Sequence, residues 1–95
     1  MFKSKKKIEF NNEEFRIIFY ALNEFRNQLL HENKYPDAVN ELIAELKSKM
    51  KVDKYDLGIM INGLDKTRKT MLAKNEDTAA IDNLLLKLIK IHDNI

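Results

Sequence analysis

Ninety-five residues, 44% hydrophobic and 34% charged, have the composition of one small folded domain, which excludes a disordered chain. The lack of cysteine excludes a disulfide framework and thiolate zinc sites, and no apolar run approaches the ~18–20 residues that span a bilayer, so the expected location is the cytoplasm, with no membrane partner. The net charge of +2 divides into +4 from Lys3, Lys5, Lys6 and Lys7, −5 over residues 8–46 and +3 over residues 47–95, a split that favours docking between halves or copies over general affinity for polyanions.

Residues 1–10 open like a signal peptide, but Glu9, Asn11, Asn12, Glu13 and Glu14 stand where its apolar core belongs. They are expected to form a basic, mobile, solubilising tail before a single helical domain at 11–95. The first helix is expected at 12–32, capped by Asn11 with Glu14 completing a capping box and Phe10 stapled to Phe15. Its apolar stripe is Phe15, Ile18, Leu22, Phe25 and Leu29. Asn33 suits the left-handed residue past the helix end, and Tyr35-Pro36-Asp37 restarts the chain with proline at a first helical position.

The second helix is expected at 36–50 with the stripe Val39, Leu42, Ile43, Leu46 and Met50. Lys47, Lys49, Lys51 and Lys54 crowd the link that follows. The third helix, at 54–74, is capped by Asp53 with Asp56, and carries Leu57, Met60, Ile61, Leu64, Met71 and Leu72. Gly63 inside it, equivalent to Ala21, predicts a close helix crossing. Asn75 and Asp77-Thr78 end the third helix and cap the fourth, at 78–93, with Ile81, Leu84, Leu85, Leu88 and Ile91.

Residues 13–48 match residues 55–90 at a constant offset of 42, with eight identities in 36 aligned pairs. Six of the eight are apolar: Ile17/Ile59, Leu22/Leu64, Leu30/Leu72, Ala38/Ala80, Leu42/Leu84 and Leu46/Leu88. The expected fold is therefore all-α: two duplicated αα-hairpins, about 11–50 and 53–93, packed as four helices with an approximate internal twofold.

Catalytic patterns are thin, and no enzyme activity, cofactor or metal site is expected. His31 and His92 read as helix-end surface residues. Surplus apolar residues point elsewhere: Phe19, Tyr20, Leu86 and Ile89 lie off the main stripes and are candidates for a homodimer or protein-partner interface. Arg26 and Arg68 are equivalent, each three residues after Asn23 or Asp65. They are expected to latch their own hairpins, reaching Asp37 or Asn40 and Asp77 or Asp82 respectively; alternatively they bind an anion and sequester a ligand. Lys47, Lys51 and Lys54, with the basic tail, are the candidate nucleic-acid footprint, although little aromatic interleaving accompanies them.

The abundance of Lys, Asn and Ile points to a low-GC genome. The stretch from Ala21 to Leu42, with Arg26-Asn27 near the helix end and Tyr35-Pro36-Asp37 at the turn, resembles small helical proteins of phages and integrated mobile elements of low-GC Gram-positive bacteria. The resemblance covers about residues 15–47. It departs where Pro36 replaces the usual threonine and, in the second hairpin, where Lys69 follows Arg68. It implies a small cytoplasmic protein that binds a host or defence factor, and brings no active site with it.

Overall fold

Helix ends leave free backbone amides and carbonyls, and here short polar side chains and left-handed turns satisfy them. The structure, a computed structural model describing residues 5–48 and 51–94, contains strand β1 (Lys6–Lys7), helices α1 (Asn12–His31) and α2 (Asp37–Ser48), strand β2 (Lys51–Val52), and helices α3 (Lys54–Ala73) and α4 (Ala79–Asp93). The Asn11 side chain accepts from the Glu14 amide at 2.8 Å while the Glu14 carboxylate accepts from the Asn11 amide at 3.0 Å. Asp53 and Asp56 repeat this box on α3 at 2.8 and 3.1 Å. The Phe10 and Phe15 rings meet edge to face with centroids 5.4 Å apart, as a hydrophobic staple requires.

Both long helices also stop alike. Asn33 has φ 57° and Asn75 φ 58°, and the next amides, of Lys34 and Glu76, donate back to Leu29 and Met71 at 2.8 and 2.9 Å. These are Schellman closures at equivalent positions. The Pro36 carbonyl accepts the first bond of α2 from Asn40 at 2.9 Å, and Asp77 caps the Ala79 amide at 2.9 Å. The expected helix bounds are off by only one or two residues, and Lys49 and Met50 lie outside the described residues.

α1 and α3 form the central pair, α2 packs on α1, and α4 packs on α3. Ile18, Leu22, Leu42, Leu46, Leu57, Met60, Leu64, Leu84 and Leu88 are the large fully buried helix residues, all on the expected stripes. Each such side chain contributes roughly 1.5–3 kcal/mol on leaving water. Leu72 does not belong with them: it lies in the last turn of α3, exposed like its equivalent Leu30.

The N-terminal segment differs from a mobile tail. β1 and β2 pair antiparallel, with Lys6 opposite Val52 and Lys7 opposite Lys51. Lys5 binds both oxygens of Glu45 at 2.6 and 2.7 Å and approaches Asp56 at 3.6 Å. Ile8 is buried beside Val52 in the same core. The reason is apolar: Ile8 and Val52 cover the end of the helical core, and the ribbon satisfies the backbone that brings them there.

Candidate functional site

Where the two hairpins meet, the surface opens into two hollows. The larger, about 1000 Å³, runs along α1 from Arg16 through Tyr20, Glu24 and Gln28 to Glu32, with Lys66, Thr67, Thr70 and Met71 of α3 opposite and Asp77, Ala80 and Ile81 of the α4 entry at its far wall. The smaller, about 600 Å³, is bounded by Phe25, Leu29, Tyr35, Ala38, Val39, Lys54, Tyr55, Gly58, Ile59, Asn62 and His92.

The two linings correspond through the sequence repeat. Phe25, Leu29, Tyr35, Ala38, Val39, Gly58, Ile59 and Asn62 of the smaller hollow are equivalent to Thr67, Met71, Asp77, Ala80, Ile81, Arg16, Ile17 and Tyr20 of the larger. The apolar floor is kept in kind, as Leu/Met, Ala/Ala, Val/Ile and Ile/Ile. The rim is not kept. The consequential change is Phe25 against Thr67, since a threonine leaves open the volume a phenyl ring occupies in the equivalent place.

Thr67 is 8% exposed, and its hydroxyl has no hydrogen-bond partner among the described residues. No buried side-chain polar atom among those residues is left unpaired, so this hydroxyl must open onto the groove. Tyr20, 59% exposed, stands across from it on α1. Lys66 lies with its ammonium 5.7 Å above the Phe25 ring, and Glu32 is held below the usual carboxylate range mainly by its hydrogen bond from Lys34.

Of the other candidate partner residues, Leu86 and Ile89 are exposed three residues apart on α4, outside both hollows. Phe19 is half-buried, stacked on Phe15 with centroids 5.8 Å apart and packed against the core, so it offers the least surface of the four.

The candidate anion-binding residues separate. Arg68 donates to Asp82 at 2.5 Å, the expected latch, and with Thr78 it holds the Asp82 carboxyl below its ordinary range. Arg26 makes no such latch among the described residues, neither to Asp37 nor to Asn40, and donates instead to Asn27 at 3.4 Å; Asn40, the equivalent of Asp82, carries no charge. Neither arginine lines either of these two hollows. Lys47 lies 6.0 Å above the Phe19 ring, Lys51 belongs to the ribbon, and Lys54 borders the smaller hollow.

His31 lines the larger hollow and His92 the smaller, the latter beside Asp93 at 3.4 Å. Among the described residues no three His, Cys, Asp or Glu side chains are grouped to hold a metal ion, and no helix is long and apolar enough to cross a membrane. Sequence reasoning singled out Tyr20 but missed Thr67, whose only signal was a polar residue aligned with Phe25. No family model, curated protein or solved structure matches the chain.

Proposed function

We propose that this chain is a non-enzymatic protein-binding module, two duplicated hairpins about an approximate twofold, whose larger groove receives a helical segment of a protein partner. The observation that carries this is the groove opened by Thr67 in place of Phe25, with an apolar floor and the exposed Tyr20 beside it. Its α1 rim runs from Arg16 to His31, about 22 Å at a rise of ~1.5 Å per residue, which matches three to four turns of a docked helix better than a small molecule. Its rim carries both signs of charge, with Arg16, Lys66 and Lys74 against Glu24, Glu76 and Asp77, which sets orientation more than affinity. The resemblance of the first hairpin to mobile-element proteins makes a host or defence protein the proposed partner, met in the cytoplasm.

The test is affinity capture with Tyr20→Glu and Thr67→Phe, the latter refilling the groove, each checked for retained helicity. Both should lose a partner that the unaltered chain and Leu86→Glu recover. Recovery of the same partner by all four proteins would overturn the reading. A dimeric solution mass abolished by the same two substitutions would make the occupant a second copy.

A further inference from the structure

The ribbon carries an arrangement that stability alone disfavours. Lys7 and Lys51 are directly opposed across the strands, and like charges in that position repel. Lys54, three residues beyond Lys51, adds to the charge, and all three side chains are exposed without an acidic partner among the described residues. Three carboxylates near the ribbon are otherwise engaged: Glu45 takes Lys5, Asp56 lies between Lys5 and the Asp53 amide, and Asp53 is buried as the α3 cap. Ile8 and Val52, buried in the core, hold the ribbon to the body, so the backbone that carries these lysines is anchored.

Lys54 also borders the smaller hollow, and there the structure adds what the sequence lacked. Tyr35, from the α1–α2 turn and 89% exposed, lines the same hollow as Tyr55, from the first turn of α3 and 59% exposed, with Asn62 and His92. Lys54, three residues beyond Lys51, therefore borders a cleft that the exposed Tyr35 also lines.

We propose that this face binds single-stranded nucleic acid, with Lys7, Lys51 and Lys54 on the phosphates and a base stacked against Tyr35 in the hollow. Each half of the chemistry selects the ligand. Unneutralised cations suit any polyanion. The exposed Tyr35 ring adds a stacking face, which favours a polyanion whose bases are unstacked over a duplex, whose bases stack on one another. Asn62 and His92 offer polar groups to a base edge. The proposal is independent of the protein-binding groove and stands on a different set of residues.

The experiment is fluorescence anisotropy of the full chain with a labelled oligothymidylate, the matching duplex and phosphatidylserine vesicles, over a range of salt. The single strand should bind more tightly than the other two, with affinity falling steeply as salt rises. Lys7→Glu and Lys51→Glu should weaken it and flatten the logarithmic salt dependence by about 0.7 for each phosphate released. Tyr35→Ala should weaken it about tenfold or more with the salt slope unchanged, since stacking releases no counterions. Circular dichroism confirms that each variant folds. Absence of binding at low salt, a preference for duplex or vesicles, or a Tyr35→Ala variant that binds like the unaltered chain would each overturn the proposal.

Discussion

Gly63 and Ala21 occupy the same position in the two hairpins and meet where α3 crosses α1: a Cβ placed on Gly63 would lie 3.5 Å from the Ala21 carbonyl oxygen and 3.4 Å from Phe25 Cδ2. A residue facing its own equivalent is what a twofold axis requires at that point, and it supports the proposed duplication. The contact also decides what the site tolerates. Gly63→Ala fits at ordinary van der Waals distance, whereas Gly63→Leu must push the helices apart, a cost of about 1–3 kcal/mol. Gly58 has nothing within 4 Å of a built Cβ. Gly58→Ala should therefore raise stability by about 0.5–1 kcal/mol through helix propensity alone. Urea midpoints for the three variants check the ordering.

Asn33 and Asn75, at φ 57° and 58°, hold the left-handed residue of each Schellman closure. Asn75→Ala is expected to cost about 1 kcal/mol because alanine lacks the short polar side chain that lets asparagine tolerate the left-handed region, while Asn75→Gly, with no Cβ to crowd the following carbonyl oxygen, should be neutral or stabilising. Thermal melting of the pair distinguishes backbone conformation from any role of the amide. Equal losses would show that the side chain itself matters.

The docked N-terminus makes a prediction opposite to that of a tail. Ile8→Ala should destabilise by about 2 kcal/mol, since Ile8 belongs to the core cluster with Val52. Unchanged denaturation would return residues 5–10 to the status of a solubilising extension.

Acid should weaken the fold in a way that named groups control. Glu14 is held below the ordinary carboxylate range, first by the Asn11 amide and then by Lys87, and Asp82 is lowered by Arg68 and Thr78. A carboxyl depressed on folding contributes stability above its unfolded pKa and loses it as pH falls through the folded value. Asp56 runs the other way, because burial raises it above its ordinary value, so its protonation adds stability as pH falls. Glu14→Gln should thus be weaker than the unaltered chain at pH 7 and converge with it as pH falls below the ordinary glutamate range. Asp56→Asn should also converge with the parent in acid, from protonation of the parent's own Asp56. Urea midpoints at pH 7 and in acid read both effects.

Much of the fold was legible because its signals are local. A cap, the acidic residue three positions on, and an asparagine past the last turn each act within a few residues, so α1 to α4 could be bounded from Asn11, Asp53, Asn33 and Asn75. The 42-residue offset set the caps and turns of residues 55–90 in the register of residues 13–48. The ribbon was not legible, since two-residue strands carry no periodicity and Lys6–Lys7 meets Lys51–Val52 only through tertiary packing. The site was legible in part. Tyr20 stood out as an apolar residue off the stripe, but the place of Thr67 in the larger hollow and of Tyr35 in the smaller depends on which helix faces cross, and spacing along one helix does not contain that.

The most direct measurement places a photo-reactive phenylalanine at position 20 and, in a second protein, at position 86, and reads the adducts formed in the source cell by mass. The proposed groove predicts one discrete protein adduct from position 20, little from position 86, and loss of the first when Thr67→Phe fills the groove. An adduct that survives Thr67→Phe, or that forms only from position 86, would contradict the account and move the interface to the outer face of α4.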